Sequence, residues 1–81
     1  MTWNPIETAP KSTANGMHVE GIYLLGFCPE EGEAPESCID VICWEPLLES
    51  ESGAMGFWCS GSCVEVYPTH WMPLPSPPVP L

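Results

Sequence analysis

Positive charge is almost missing from this chain: there is no arginine, and Lys11 is the one lysine, against eleven acids, for a net charge of −10. With so little to neutralise phosphates, direct nucleic-acid binding is excluded as a function. Docking onto an anionic membrane surface is disfavoured for the same reason. Long hydrophobic runs are also lacking; none approaches the roughly 18 residues that a spanning helix needs. No export signal is evident at the start, so the chain is expected in the cytoplasm. Eleven prolines and seven glycines exclude long helices.

What is present suffices for one small packed domain over residues 1–81. Four Trp, two Tyr, two Phe and four Met join fifteen Val, Ile and Leu. At this length only about 60% of the unfolded surface can be buried. The fold class read from the pattern is mainly β, α+β at most: a small antiparallel sheet of about four strands, with at most one short helix. "HVEGIYLLGFC" (18–28), rich in branched and aromatic residues and too short and Gly-interrupted for a good helix, and "SCIDVICWE" (37–45) read as the strands of a hairpin. "PLLESESGA" reads as a connection that could hold one weak helical turn. "MGFWCS" and "CVEVYP" make a second hairpin around "SGS". Residues 73–81 form a Pro-rich tail, excluded from a sheet interior because proline removes ladder donors. Tyr23, Phe27, Trp44, Phe57 and Trp58 are the expected core aromatics, with Trp71 covering one end. The tail has P-x-x-P spacing but no basic flank, so packing or fraying is its expected role.

Five cysteines, at 28, 38, 43, 59 and 63, are many for this length. Their odd number and the absence of an export signal favour reduced thiols. The alternatives are a zinc site and a disulfide or intermolecular bridge. Cys59 and Cys63 form one C-x₃-C half of a zinc pattern, but Cys38 and Cys43 are an odd number apart and face opposite sides of a strand. No metal ligand or other cofactor is assigned. Catalysis would need a nucleophile, a base and an orienting group. His18 and His70 are the histidines present, no hydrolase or phosphate-loop motif appears, and His70 in "PTHWMP" reads as structural. The chain is read as not an enzyme.

The acids are clustered. Glu30, Glu31, Glu33 and Glu36 lie in "FCPEEGEAPESC", and Glu45, Glu49 and Glu51 flank the next connection. Consecutive residues of extended chain advance about 3.3 Å, while duplex DNA carries one charge per ~1.7 Å. Two neighbouring loops could thus present seven carboxylates at phosphate-like spacing. On charge alone an ordinary solvated acidic face is the leading reading.

The two ends carry a further signal. "WNPIETAPK" (3–11) and "PTHWMPLPSPP" (68–78) resemble the paired hallmarks of a short domain-of-unknown-function family common in bacteriophages and prophages. "IYLL", Trp44 and Trp58 add weaker matches. Where many members continue with an Asp-Gly turn, this chain has "STANG", and its middle adds the cysteines and the acidic loop. The resemblance implies a phage origin, with the shared ends as scaffold and the divergent middle as function. A small acidic phage protein is also similar to host-defence inhibitors, anti-CRISPR proteins among them. The implied function is DNA-mimic-like binding to a basic host protein, such as a CRISPR effector complex, in the host cytoplasm, through Glu30, Glu31, Glu33, Glu36, Glu45, Glu49 and Glu51. The alternative is a small phage structural or zinc-stabilised scaffold. A homodimer through an edge strand or the odd cysteine is a further expectation.

Overall fold

The computed structural model describes residues 2–15, 18–61 and 64–75. These form a mainly β domain with strands β1 (Asn4–Pro5), β2 (Thr13–Asn15), β3 (His18–Glu20), β4 (Leu24–Phe27), β5 (Ile39–Glu49), β6 (Met55–Ser60), β7 (Val64–Glu65) and β8 (His70–Pro73). Two 3-10 turns, Ile6–Thr8 and Pro35–Cys38, are the helical elements among the described residues. Six strands make one antiparallel, curled sheet in the order β1-β8-β4-β5-β6-β7, and β2 with β3 pairs apart from it. The antiparallel β class matches the sequence reading, with six strands in place of about four. No helix among the described residues is long and apolar enough to cross a membrane.

The hairpin around the acidic loop is present: β4 pairs with β5 from Leu24↔Ile42 to Phe27↔Ile39. Its first strand is shorter than the sequence suggests, because 18–28 breaks into β3 and β4. The Ile22 N–H donates to the buried Ser12 hydroxyl at 2.9 Å, which removes it from any ladder. Tyr23 falls in that break and is 59% exposed, so it is not a core residue.

Beyond Trp44 the chain does not turn into a helix; β5 runs on to Glu49. Pro46 has no donor to give, and the sheet absorbs this with an irregularity. Glu45 faces Phe57 and Glu49 faces Met55, so residues 46–48 stand opposite Gly56 alone. Gly56 has φ of +88°, and a Cβ there would sit 2.6 Å from Trp44 Cζ2. The absent side chain therefore makes room for the indole. Trp44 in turn meets Trp58 edge-on at 5.3 Å, and Lys11 Nζ lies 3.8 Å from the Trp44 ring centroid.

A second correction concerns the start of the Pro-rich tail. Residues 70–73 form β8 inside the sheet, between β1 and β4. Pro73 is tolerated because β1 is only two residues long and pairs with His70 and Trp71, leaving no strand on that side to demand the missing donor. Residues 76–81 of the tail lie outside the described residues.

Buried apolar side chains are Leu24, Cys38, Ile42, Phe57, Cys59 and Met72. Ile42 is fully buried and packs onto Gly26, where a Cβ would stand 2.5 Å from its Cδ1. Burying one such side chain stabilises by about 1.5–3 kcal/mol. Of the expected aromatics only Phe57 is buried; Phe27, Trp44 and Trp58 are half-buried.

The two end motifs are spatial partners. Asn4 faces Trp71 and Pro5 faces His70, while the Ile6 N–H donates to the Thr69 carbonyl at 3.0 Å. Trp71 Nε1 donates to Thr8 Oγ1 at 3.0 Å, and that hydroxyl donates to the Pro5 carbonyl. Trp3 stands 6.2 Å from Phe27, ring to ring.

Candidate functional site

The acidic loop is built rather than loose. Cys28 N–H donates to the Cys38 carbonyl at 2.8 Å and closes its base. Within it, Glu33 N–H reaches the Glu30 carbonyl across a turn whose third residue, Gly32, has φ of +86°, as a type II turn requires. Pro35 then starts the 3-10 turn, where Ser37 N–H donates to the Ala34 carbonyl and the Cys38 thiol adds a second bond to the same oxygen. Glu30, Glu31, Glu33 and Glu36 are all exposed on this frame.

The connection carrying Glu49 and Glu51 leaves the opposite end of β5. Ser50 N–H pairs with the Ala54 carbonyl at 2.8 Å, and Gly53, with φ of +89°, completes the turn. Glu45 belongs to neither loop: it is half-buried on β5, and its Oε1 accepts the Leu47 N–H at 3.0 Å. The seven glutamates therefore do not line up as one strip along two adjacent loops.

What brings part of them together is the curl of the sheet. After β7, Val66 N–H donates to the Trp58 carbonyl and Thr69 N–H to the Phe27 carbonyl, so residues 65–69 cross from β6 to the end of β4. This crossing lays Glu65 and Tyr67 between the two loops. Glu30 lines one recess of about 110 Å³ with Pro29, Glu65 and Tyr67, and a second of about 90 Å³ with Cys28, Ser37 and Asp40. From the other loop, Glu51 N–H donates to Glu65 Oε1 at 2.9 Å, and the Glu51 carboxylate accepts from the Tyr67 phenol.

The resulting cluster is Glu30, Glu51 and Glu65 beside Tyr67, with Asp40 on the far side of Glu30. Asp40 and Glu65 carry no run of acids to mark them in the sequence: Asp40 comes beside Glu30 through the β4–β5 pairing, and Glu65 only through the crossing of residues 65–69. The electrostatic signature is visible in two groups. Cys28 is pushed up to about 11 by desolvation, then by the negative charge of Asp40, Cys38 and Glu30. Tyr67 is raised by desolvation first and then by the Glu65 and Glu51 carboxylates, with the Glu51 hydrogen bond adding to it.

The other residues of chemical interest take local roles. His70 is exposed, its Nδ1 2.9 Å from the Thr69 hydroxyl and its ring beside Phe27. Cys43 and Cys59 are cross-strand partners with sulfurs 3.6 Å apart. None of Cys28, Cys38, Cys43 and Cys59 is in a disulfide. Cys63, the second member of the C-x₃-C pair, lies outside the described residues. Among the described residues no three of His, Cys, Asp and Glu gather as a metal-holding cluster, and no buried side-chain nitrogen or oxygen lacks a hydrogen-bond partner.

Set against protein-family models, curated proteins and solved structures, the chain matches none of them.

Proposed function

We propose that this protein is a non-enzymatic, phage-derived anti-defence inhibitor that binds the basic nucleic-acid-binding surface of a host effector complex, of the CRISPR type, and blocks DNA access in the host cytoplasm. The observation that carries the reading is the gathering of Glu30, Glu51 and Glu65 beside the exposed Tyr67, with Asp40 next to Glu30 and with Glu31, Glu33 and Glu36 on the loop that holds Glu30. The chain's one lysine is spent on the Trp44 ring. An acidic face of this kind raises the encounter rate with a Lys/Arg-lined groove and excludes the nucleic acid that would otherwise occupy it. Tyr67 supplies a flat amphipathic contact that fixes register once the charges have steered the two surfaces together.

Competition tests the proposal. A guide-loaded effector is titrated with labelled target DNA in the presence of excess protein, at low and at physiological salt. The expected result is loss of DNA binding at low salt, with the inhibition weakening as screening shortens to about 8 Å. Undiminished DNA binding by basic effectors at low salt refutes it.

A further inference from the structure

We propose that Cys43 and Cys59 form an oxidisable dithiol site that a small disulfide such as oxidised glutathione converts into a cross-strand bridge between β5 and β6. The two residues are direct register partners in an antiparallel pair, the arrangement that brings opposite Cβ atoms closest, and their sulfurs already stand 3.6 Å apart. Side-chain rotation brings the two sulfurs together, and a small shift of the paired strands takes the Cβ atoms from the roughly 4.5–5.5 Å of an opposed pair to the roughly 3.5–4.5 Å that a disulfide needs. Access is provided by a recess of about 450 Å³ lined by both cysteines together with Ser12, Tyr23, Trp44 and Glu45. Cys43 is half-buried at this recess and Cys59 is buried behind it, so the order of attack is set by position.

The chemistry balances as a two-step exchange. The Cys43 thiol loses its proton, and its sulfur attacks one sulfur of oxidised glutathione; the glutathione S–S bond breaks, and one glutathione leaves as thiolate and takes up a proton. Cys59, deprotonated in turn, attacks the Cys43 sulfur of the mixed disulfide and displaces the second glutathione, which takes up the second proton. Both electrons end on glutathione, and the protein holds one new S–S bond.

The other described cysteines are poorer candidates. Cys38 directs its thiol to the Ala34 carbonyl at 3.4 Å, and Cys28, pushed up to about 11, carries little thiolate near neutral pH. Bridging 43 to 59 closes a loop of fifteen intervening residues, whose entropy in the unfolded chain is the source of the expected stabilisation.

The test uses the intact chain equilibrated with oxidised and reduced glutathione, followed by trapping of remaining thiols, peptide mapping and thermal melting. The proposal expects a 43–59 linked peptide as the first intramolecular bridge, retained in Cys63→Ser and lost in Cys43→Ser. It also expects a melting temperature higher by about 10 °C or more in the bridged form. A first bridge at 28–38 or 59–63, or only mixed disulfides with glutathione, overturns it. Because mapping is done on the unaltered chain, the result stands even if Cys43→Ser folds poorly.

Discussion

Gly56→Ala is the substitution whose cost can be worked most directly from this fold. Gly56 has φ of +88°, and an added Cβ would lie 2.6 Å from Trp44 Cζ2 and 3.0 Å from Cε2. An L-residue held in the left-handed region costs about 1–2 kcal/mol. Forcing a methyl into an occupied space costs about 1–3 kcal/mol more, because the Trp44 ring must move and take its Trp58 and Lys11 contacts with it. The sum, about 2–5 kcal/mol, is a large share of the roughly 4–12 kcal/mol expected for a chain of 81 residues. Gly32→Ala separates the two contributions, since Gly32 has nearly the same φ, +86°, and nothing within 4 Å of its built Cβ. Urea unfolding followed by indole fluorescence measures both variants. Gly56→Ala should fall below Gly32→Ala by about 1–3 kcal/mol, and in a Trp44→Phe background most of that gap should vanish. Equal stabilities for Gly56→Ala and Gly32→Ala, to within about 0.5 kcal/mol, would refute the account of Gly56 as the seat of the indole.

The remaining expectations concern charge. Cys28, raised from 9.0 to about 11, keeps its proton longer in the folded state. Its contribution to stability is whole below pH 9 and is lost as pH climbs from about 9 to about 11. Denaturation midpoints measured across that window should fall more steeply in the native sequence than in Cys28→Ala, and Cys28 in the folded protein should alkylate about a hundredfold more slowly at pH 8 than an unshifted thiol. Reversal of Glu30, Glu51 and Glu65 to lysine should weaken effector binding by tenfold or more, of the order of 1.4 kcal/mol. Glu45→Lys should do less, because the Glu45 carboxylate is turned back onto its own strand; equal effects in a pull-down would remove the cluster's special status.

Legibility in the sequence followed the reach of the interactions involved. The β4–β5 hairpin could be read because Pro29, Gly32 and Pro35 punctuate two apolar runs, all local signals. The continuation of β5 through Pro46 could not, since it depends on Gly56 opposite accepting three residues against one. Likewise β8 was hidden by Pro73, whose harmlessness follows from the shortness of β1. Core prediction overweighted large aromatics: Ile42, Cys59 and Met72 are buried while Tyr23 is not, because register and strand breaks decide burial as much as side-chain size. Among the site residues, loop acids announce themselves in a run, Asp40 joins them through the hairpin register, and Glu65 does so only through a crossing of the curled sheet.

The placement of β8 governs when this fold can come into being. Among the described residues the strand Asn4–Pro5 pairs only with β8, and β4 pairs with β8 along its whole length. A ribosome must therefore release residues 70–73 before residues 4–5 have anything to pair with. The sheet is completed by contacts more than sixty residues apart, such as Trp71 with Thr8, whose long loop must be closed before they reward folding. The sheet is thus complete only once residues 70–73 are available to it.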